Sequence, residues 1–342
     1  MKFAIDITGD IRMNYQIKFS SAIAFIFFAI SNSWGQEIYP NKPINLIAPY
    51  SAGGDSDLAA RAYAAYAQVS LGQAIVVVNK PGGSGIIGSE FVRRAAPDGY
   101  TLLLARPGSQ SILPALAPEN TKYKWDDFTI VGILELNPYG CAVRKDSPFK
   151  NFEDLSNALK TRGTKLNYGT AGVATTNDMG PRLLFTLLNL GDKVPQQIPY
   201  KGTGEATSAL LAGQIDFSCG SIGTMLSLIK DGQLRALLVT TPNRYKELPD
   251  VPTATELGVA DMGQIIGWSG IYAPIGLPKP VLDKLVQNLL ELDKNPGWRN
   301  ATERIGSIPY IKGPKEATEF AKTQYETYLN LGKRLNIIDK LN

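Results

Sequence analysis

Residues 44–72 read INLIAPYSAGGDSDLAARAYAAYAQVSLG. The aliphatic run INLIAPY leads into the turn SAGGDSD, and then Leu58, Ala62, Ala65, Tyr66 and Val69 recur at helical spacing, with Gly72 as a stop signal. Strand, glycine turn and helix in that order form the repeating unit of an α/β protein with a largely parallel sheet. The unit recurs down the chain: strand AIVVV (74–78), a glycine turn, helix GSEFVRRAA, the turn PDGY and strand TLLLA (101–105). A second series follows AVRKDSPFK, with strands in KLNYGT, QQIPY, IDFSC and RALLV separated by helical segments. The polar, proline-containing stretch TTPNRYKELPDVPT then leads to WSGIYAPIG and two long helical segments, PKPVLDKLVQNLLELDK and KEATEFAKTQYETYLNLGKRL. Two such units joined by two crossings place a cleft between them, and open α/β sheets take ligands at the carboxyl ends of their strands.

The composition narrows what such a cleft can do. With 342 residues, 44% of them hydrophobic, the chain can bury one large core or two moderate ones. A formal charge of +4, spread along the sequence, gives no nucleic-acid footprint. Lys18 precedes the apolar run SAIAFIFFAI, which is too short for the roughly 20 residues a spanning helix needs and is followed by the small, polar SNSWGQ. This reads as a signal peptide over 1–35, cleaved near 33–36, with Met1 or Met13 as the start. The mature chain is then exported. Cys141 and Cys219 permit one disulfide in an oxidising compartment, or stand as two buried thiols.

The chain has no histidine, which removes Ser-His-Asp and Cys-His nucleophiles and histidine-based zinc sites. Two chemical readings survive that test. Gly83, Gly85 and Gly88 form G-x-G-x-x-G after a strand, with Arg106 placed to take a 2′-phosphate, the outline of an NADP-linked oxidoreductase. Against it, Asn79, Lys80, Pro81 and Gly82 separate the strand from the first glycine. The pattern S-x-x-K at Ser147–Lys150 and Ser227–Lys230 is the outline of a Ser-Lys hydrolase, but S-D-N and K-T-G are missing.

Five ordered motifs carry a stronger signal: YPNKPINLIAPYSAGGDSDLAAR, NKPGGSGIIG, APDGYTLLLA, IPYKGTGEATSALLAGQID and GQLRALLVTTPNRYKELPDVPTATELG. Together they resemble the successive motifs of the tripartite tricarboxylate transporter solute receptors of the Bordetella uptake gene type, from about residue 38 to the C-terminus. The resemblance implies a type II periplasmic binding protein, with two doubly wound α/β domains and a ligand cleft between them. It implies domain 1 at 36–143 plus 243–342 and domain 2 at 144–242. It further implies a monomeric, non-enzymatic receptor without metal or cofactor, which passes a di- or tricarboxylate to membrane permease subunits.

On the residues themselves, SAGGDSD sets backbone N–H groups at a positive helix N-terminus, a ready carboxylate site in which Ser51, Gly53, Gly54, Ser56 and Asp57 take part, or a plain helix cap. The resemblance favours ligand contact there and extends the cleft to Thr170, Ala171, Thr175 and Thr176, then Tyr200, Gly202, Asp216 and Ser218. Relatives often carry a histidine just past the hydroxyl pair matched by Thr175 and Thr176, where this chain has Asn177 and Asp178. Arg106, at a strand's carboxyl edge, is expected either to fork onto a second ligand carboxylate or to be a solvated or salt-bridged surface arginine. Tyr50 and Trp268 either stack on an aromatic ligand or pack in the core.

Overall fold

The computed structural model describes residues 39–338, so the expected signal segment and both candidate start residues lie outside the described residues. Over 42–338 the chain builds two sheets. The first takes β1 (Ile44–Ala48), β2 (Ile75–Asn79), β3 (Thr101–Ala105), β4 (Phe128–Asn137), and, from the far end of the chain, β10 (Gly267–Pro274) and β11 (Ile308–Lys312), in the order β11-β4-β10-β3-β1-β2. The second takes β5 (Tyr139–Arg144), β6 (Asn167–Thr170), β7 (Gln196–Pro199), β8 (Phe217–Ser221) and β9 (Leu234–Val239), in the order β7-β6-β8-β5-β9.

The two sheets share one plan. In each, three strands run parallel (β2-β1-β3 and β7-β6-β8), and the strand nearest an interlobe crossing enters antiparallel beside the third, β10 in the first and β5 in the second. Pro138 joins β4 of the first sheet to β5 of the second, since Tyr139–Arg144 pairs with β8 and β9, five residues ahead of the domain change expected at 143/144. Cys141 and Cys219 are register partners across β5 and β8 and form a disulfide, which settles the choice the sequence left open.

Helix α1 (Asp55–Leu71) forms where expected but buries a different stripe. Ala59, Ala60, Tyr63, Ala64, Ala67 and Leu71 face inward while Val69 is 78% exposed. With alanine on nearly every side, apolar spacing does not single out one face. Closeness of approach does: small residues let α1 lie against β2 and against α8 (Lys279–Asp293), where the Tyr63 hydroxyl donates to Asn288 Oδ1 at 3.0 Å. Trp268 and Tyr272 fill the core of the first lobe, their rings stacked with centroids 6.2 Å apart, so Trp268 packs rather than waits for a ligand. The C-terminal helix α10 (Pro314–Leu335) sends Ala317 and Ala321 into that core and Tyr328 and Leu331 into the core of the second lobe. Among the described residues no helix is long and apolar enough to cross a membrane.

Candidate functional site

The same loop is built twice, once in each lobe. After β1, Gly53 takes a left-handed φ of 74° and its N–H donates to Asp57 Oδ2 at 3.0 Å, while Arg61 Nε donates to the same oxygen at 3.0 Å. After β6, Ala174 takes a φ of 54°, its N–H donates to Asp178 Oδ2 at 2.9 Å, and Arg182 Nε donates to Asp178 Oδ1 at 2.7 Å. In both, an aspartate in the first turn ties the loop down and an arginine one turn later holds the aspartate. Neither α1 nor α5 (Thr176–Leu187) receives a hydrogen bond from its N-cap side chain; Gly54 has none to offer, and the Thr175 hydroxyl donates to Gly172 O at 2.8 Å. Neither helix end is therefore capped by its own N-cap side chain, and at α1 the Asp55 amide turns to Thr203 of the other lobe instead.

Those ends meet at one cavity of about 30 Å³, lined from the first lobe by Tyr50, Asp55, Ser56, Arg106, Pro107 and Gly108 and from the second by Ala171, Thr175, Thr176, Asn177 and Thr203. The lobes are drawn together around it. Ser51 N donates to Lys201 O at 3.2 Å, Asp55 N donates to Thr203 Oγ1 at 3.0 Å, and a Cβ on Gly204 would lie 2.9 Å from the Gly53 carbonyl carbon. Small-molecule sites usually offer roughly 300 Å³ or more, so the cavity between the lobes as they stand is smaller than such a site. A groove of about 660 Å³ behind the second-lobe loop is larger but open, and it lacks both helix ends.

A charge cluster backs the cavity. Arg106, 6% exposed, follows β3 directly; its Nη1 donates to Asn137 Oδ1 at 2.8 Å and Ser269 Oγ at 2.6 Å, and its Nη2 lies 3.6 Å from Asp55 Oδ2. Glu135 Oε1 accepts from Asn137 Nδ2 at 3.1 Å and from Ser269 Oγ at 2.9 Å. Burial pushes both carboxyls above their ordinary range, opposed in each by Arg106 and by hydrogen bonds, from Ser221 and Thr203 at Asp55 and from Asn137 and Ser269 at Glu135. Ser56 Oγ, at the cavity wall, is buried without a hydrogen-bond partner.

Of the residues singled out in the sequence, Tyr50, Ser56, Arg106, Ala171, Thr175 and Thr176 line the cavity. Ser51, Gly54 and Gly202 lie in the seam between the lobes instead. Asp57 is spent closing its own loop, and Gly53 and Tyr200 border a separate surface depression. Thr170 Oγ1 accepts from Gly172 N and Gln197 Nε2; Asp216 Oδ2 accepts from Asn167 N at 2.8 Å; Ser218 is 3% exposed with its hydroxyl 3.5 Å from Gly169 O. These three brace the second sheet rather than the cavity. Arg106 is no surface arginine, since its head group is buried among its own partners. Asp55, Pro107, Gly108, Asn177 and Thr203 were not anticipated, although Asp55 sits within the quoted loop and Asn177 beside the threonine pair.

The chemical alternatives lose their geometry. Lys150 Nζ donates to the Ser147 carbonyl, while the Ser147 hydroxyl accepts from Phe149 N; Lys230 is paired with Glu247. The glycine turn at 82–88 lies at the rim of the cavity, its Ser84 carbonyl accepting from the Tyr50 hydroxyl at 2.7 Å, and Arg106 is held by Asn137, Ser269 and Asp55.

Comparison with known proteins agrees with this geometry. The tripartite tricarboxylate transporter family receptor model matches residues 59–340. A relative from Agrobacterium vitis, described as the UPF0065 protein in the TAR-I ttuE-ttuC' intergenic region, is 36% identical over 85% of this chain and 83% of its own length. The solved structure of periplasmic binding protein BugD is 32% identical, with a TM-score of 0.83 over 88% of this chain and 99% of that one. MatC from Rhodopseudomonas palustris, solved with bound malate, is 28% identical, with a TM-score of 0.79 over 86% of this chain and 99% of that one. A two-lobed α/β chain with paired helix ends at its cleft, matched over most of its length, belongs to the tripartite tricarboxylate transporter receptor family.

Proposed function

We propose that this chain is an exported, periplasmic receptor that closes its two lobes over a small di- or tricarboxylate and passes it to the membrane permease subunits of a tripartite transporter. It acts as a monomer and makes and breaks no covalent bond in its ligand. The observation that carries the reading is the pair of helix N-termini, α1 and α5, neither capped by its own N-cap side chain, converging on one cavity from opposite lobes. Oriented N–H groups and two helix dipoles favour a carboxylate without needing a cationic side chain. The unpartnered Ser56 hydroxyl adds a polar contact, and the malate held by the related MatC supports the ligand class. Among the candidates from the sequence, Tyr50, Ser56, Arg106, Ala171, Thr175 and Thr176 are the proposed contacts, with Asn177 and Thr203 added.

A thermal-shift screen of mono-, di- and tricarboxylates tests this. A ligand at about 100 times its dissociation constant stabilises the folded state by about 2.7 kcal/mol. A clear upward shift with di- or tricarboxylates, absent with uncharged analogues of the same size, is the expected result. No shift across the panel contradicts the reading.

A further inference from the structure

Two buried carboxyl groups, Asp55 in the cavity wall and Glu135 behind it, are grouped around one arginine. Asp55 and Glu135 share Arg106, and the groups shaping their titration bring no second cation: Ser221 and Thr203 at Asp55, Asn137 and Ser269 at Glu135. Tyr50, whose hydroxyl is pushed up by burial, stays neutral. The Nη1 atom of Arg106 is committed to Asn137 and Ser269, and Nη2 faces Asp55 Oδ2 at 3.6 Å, with Asp55, Ser56 and Arg106 all lining the cavity. A ligand carboxylate directed at Arg106 would thus be the third carboxyl group around a single cation.

We propose that Asp55 is the charge-selecting residue of this cleft: it holds Arg106 from within, so that a second ligand carboxylate reaches the guanidinium only together with one proton taken up by the Asp55–Glu135 pair. This rests on the carboxylate reading above and deepens it. The first carboxylate sits on the helix-end amides and needs no proton, whereas the second displaces or neutralises Asp55. The buried positions of Asp55 and Glu135 favour protonation once another anion arrives, because a carboxylate gains a proton more readily when like charge is close and water is excluded. Asp55 also donates its backbone N–H to Thr203 across the cleft, so the residue that senses ligand charge stands on the seam that opens and closes.

Calorimetric titration of malate at pH 7 in phosphate and in Tris, buffers of different ionisation enthalpy, gives the number of protons exchanged. The wild-type protein is expected to take up about one proton per malate and to lose affinity by roughly tenfold per pH unit as pH rises. Asp55→Asn is expected to take up almost none and to bind malate more tightly at pH 8; Glu135→Gln, a second isosteric variant, is expected to reduce the uptake as well. Malate binding without proton uptake in the wild type, or an uptake unchanged in Asp55→Asn, overturns the proposal. Preference for an amino-bearing carboxylate, bound with no proton exchange, overturns it too, because Asp55 would then be answering a ligand cation. Failure of malate, adipate and every other carboxylate of the panel to bind either protein overturns the carboxylate reading itself.

Discussion

The loops at 53–61 and 174–182 are the same device in two settings. In the first lobe Arg61 is largely in water, and hydrogen bonds from Arg61, Gly53 and Asn79 outweigh burial to hold Asp57 below the ordinary carboxylate range. In the second lobe Asp178 is fully buried, its Oδ1 also accepts from Gln197 Nε2 at 3.1 Å, and burial wins over Arg182 and the Ala174 amide to raise its pKa. One geometry therefore closes both loops around a buried aspartate, with its arginine largely in water in the first lobe and more enclosed in the second. The lobes differ again at the antiparallel strand. β5 is bonded to β8 through Cys141 and Cys219, whereas β10 meets β3 only through pairs such as Ile271 and Leu104.

The largest test of this asymmetry is the disulfide. Its sequence separation of 78 residues implies that removing it costs about 4 kcal/mol through the freed unfolded chain. The double variant Cys141→Ser and Cys219→Ser is expected to lose that much in denaturant melts, with faster amide exchange in β5, β6 and β8 and little change in β1–β3. Equal loss of protection in both sheets would show that the second lobe has no special dependence on it.

The aspartates come next. Asp178→Ala strands the buried Ala174 amide and unpairs Arg182, with an expected cost of about 3 kcal/mol, while Asp57→Ala, losing a pair whose arginine is largely in water and one bond from the exposed Gly53, costs about 1 kcal/mol. Equal costs in chemical denaturation would dissolve the distinction.

The smallest effect is in pH dependence, where the signs oppose. Asp57, with its folded pKa lowered, contributes stability that is present above its unfolded pKa near 4 and is lost as pH falls through the folded value. Asp178, with its folded pKa raised, favours the folded state fully only below that same unfolded value, and the contribution is lost as pH rises through the folded one. Asp57→Asn is therefore expected to flatten the acid limb of the stability profile below about pH 4, and Asp178→Asn to remove a decline above it. Matching changes in both variants would contradict the assignment.

Much of this was legible in the chain. Strand, glycine turn and helix at 44–72 carry their own punctuation, and the matching series at 167–239 shows the second lobe. Less was legible where burial, not pattern, decides. FTIVGILELN (128–137) and IPYIK (308–312) join the first sheet through pairings across most of the chain, which no local spacing shows. In the site, Ser56, Ala171, Thr175 and Thr176 of the strand-to-helix loops line the cavity and Ser51 and Gly54 the seam beside it, while Gly53, Asp57 and Thr170 do not line it. Asp57 and Asp216 accept from backbone amides of their own lobe, and a carboxylate in a loop looks the same in sequence whether it faces a ligand or backbone. Glu135, Asn137 and Ser269 gave no signal, since they act through Arg106 from strands distant in sequence.

The central claim is that both helix ends grip one carboxylate-bearing solute, and a crystal structure grown with malate or adipate tests it most directly. The expected result places one ligand carboxylate within hydrogen-bond distance of first-turn amides of α1 or α5, between Ser56 and Thr176, with both lobes touching the ligand. A ligand seated in the open groove beside Arg182, or held by one lobe alone with those amides turned to other acceptors, would contradict it.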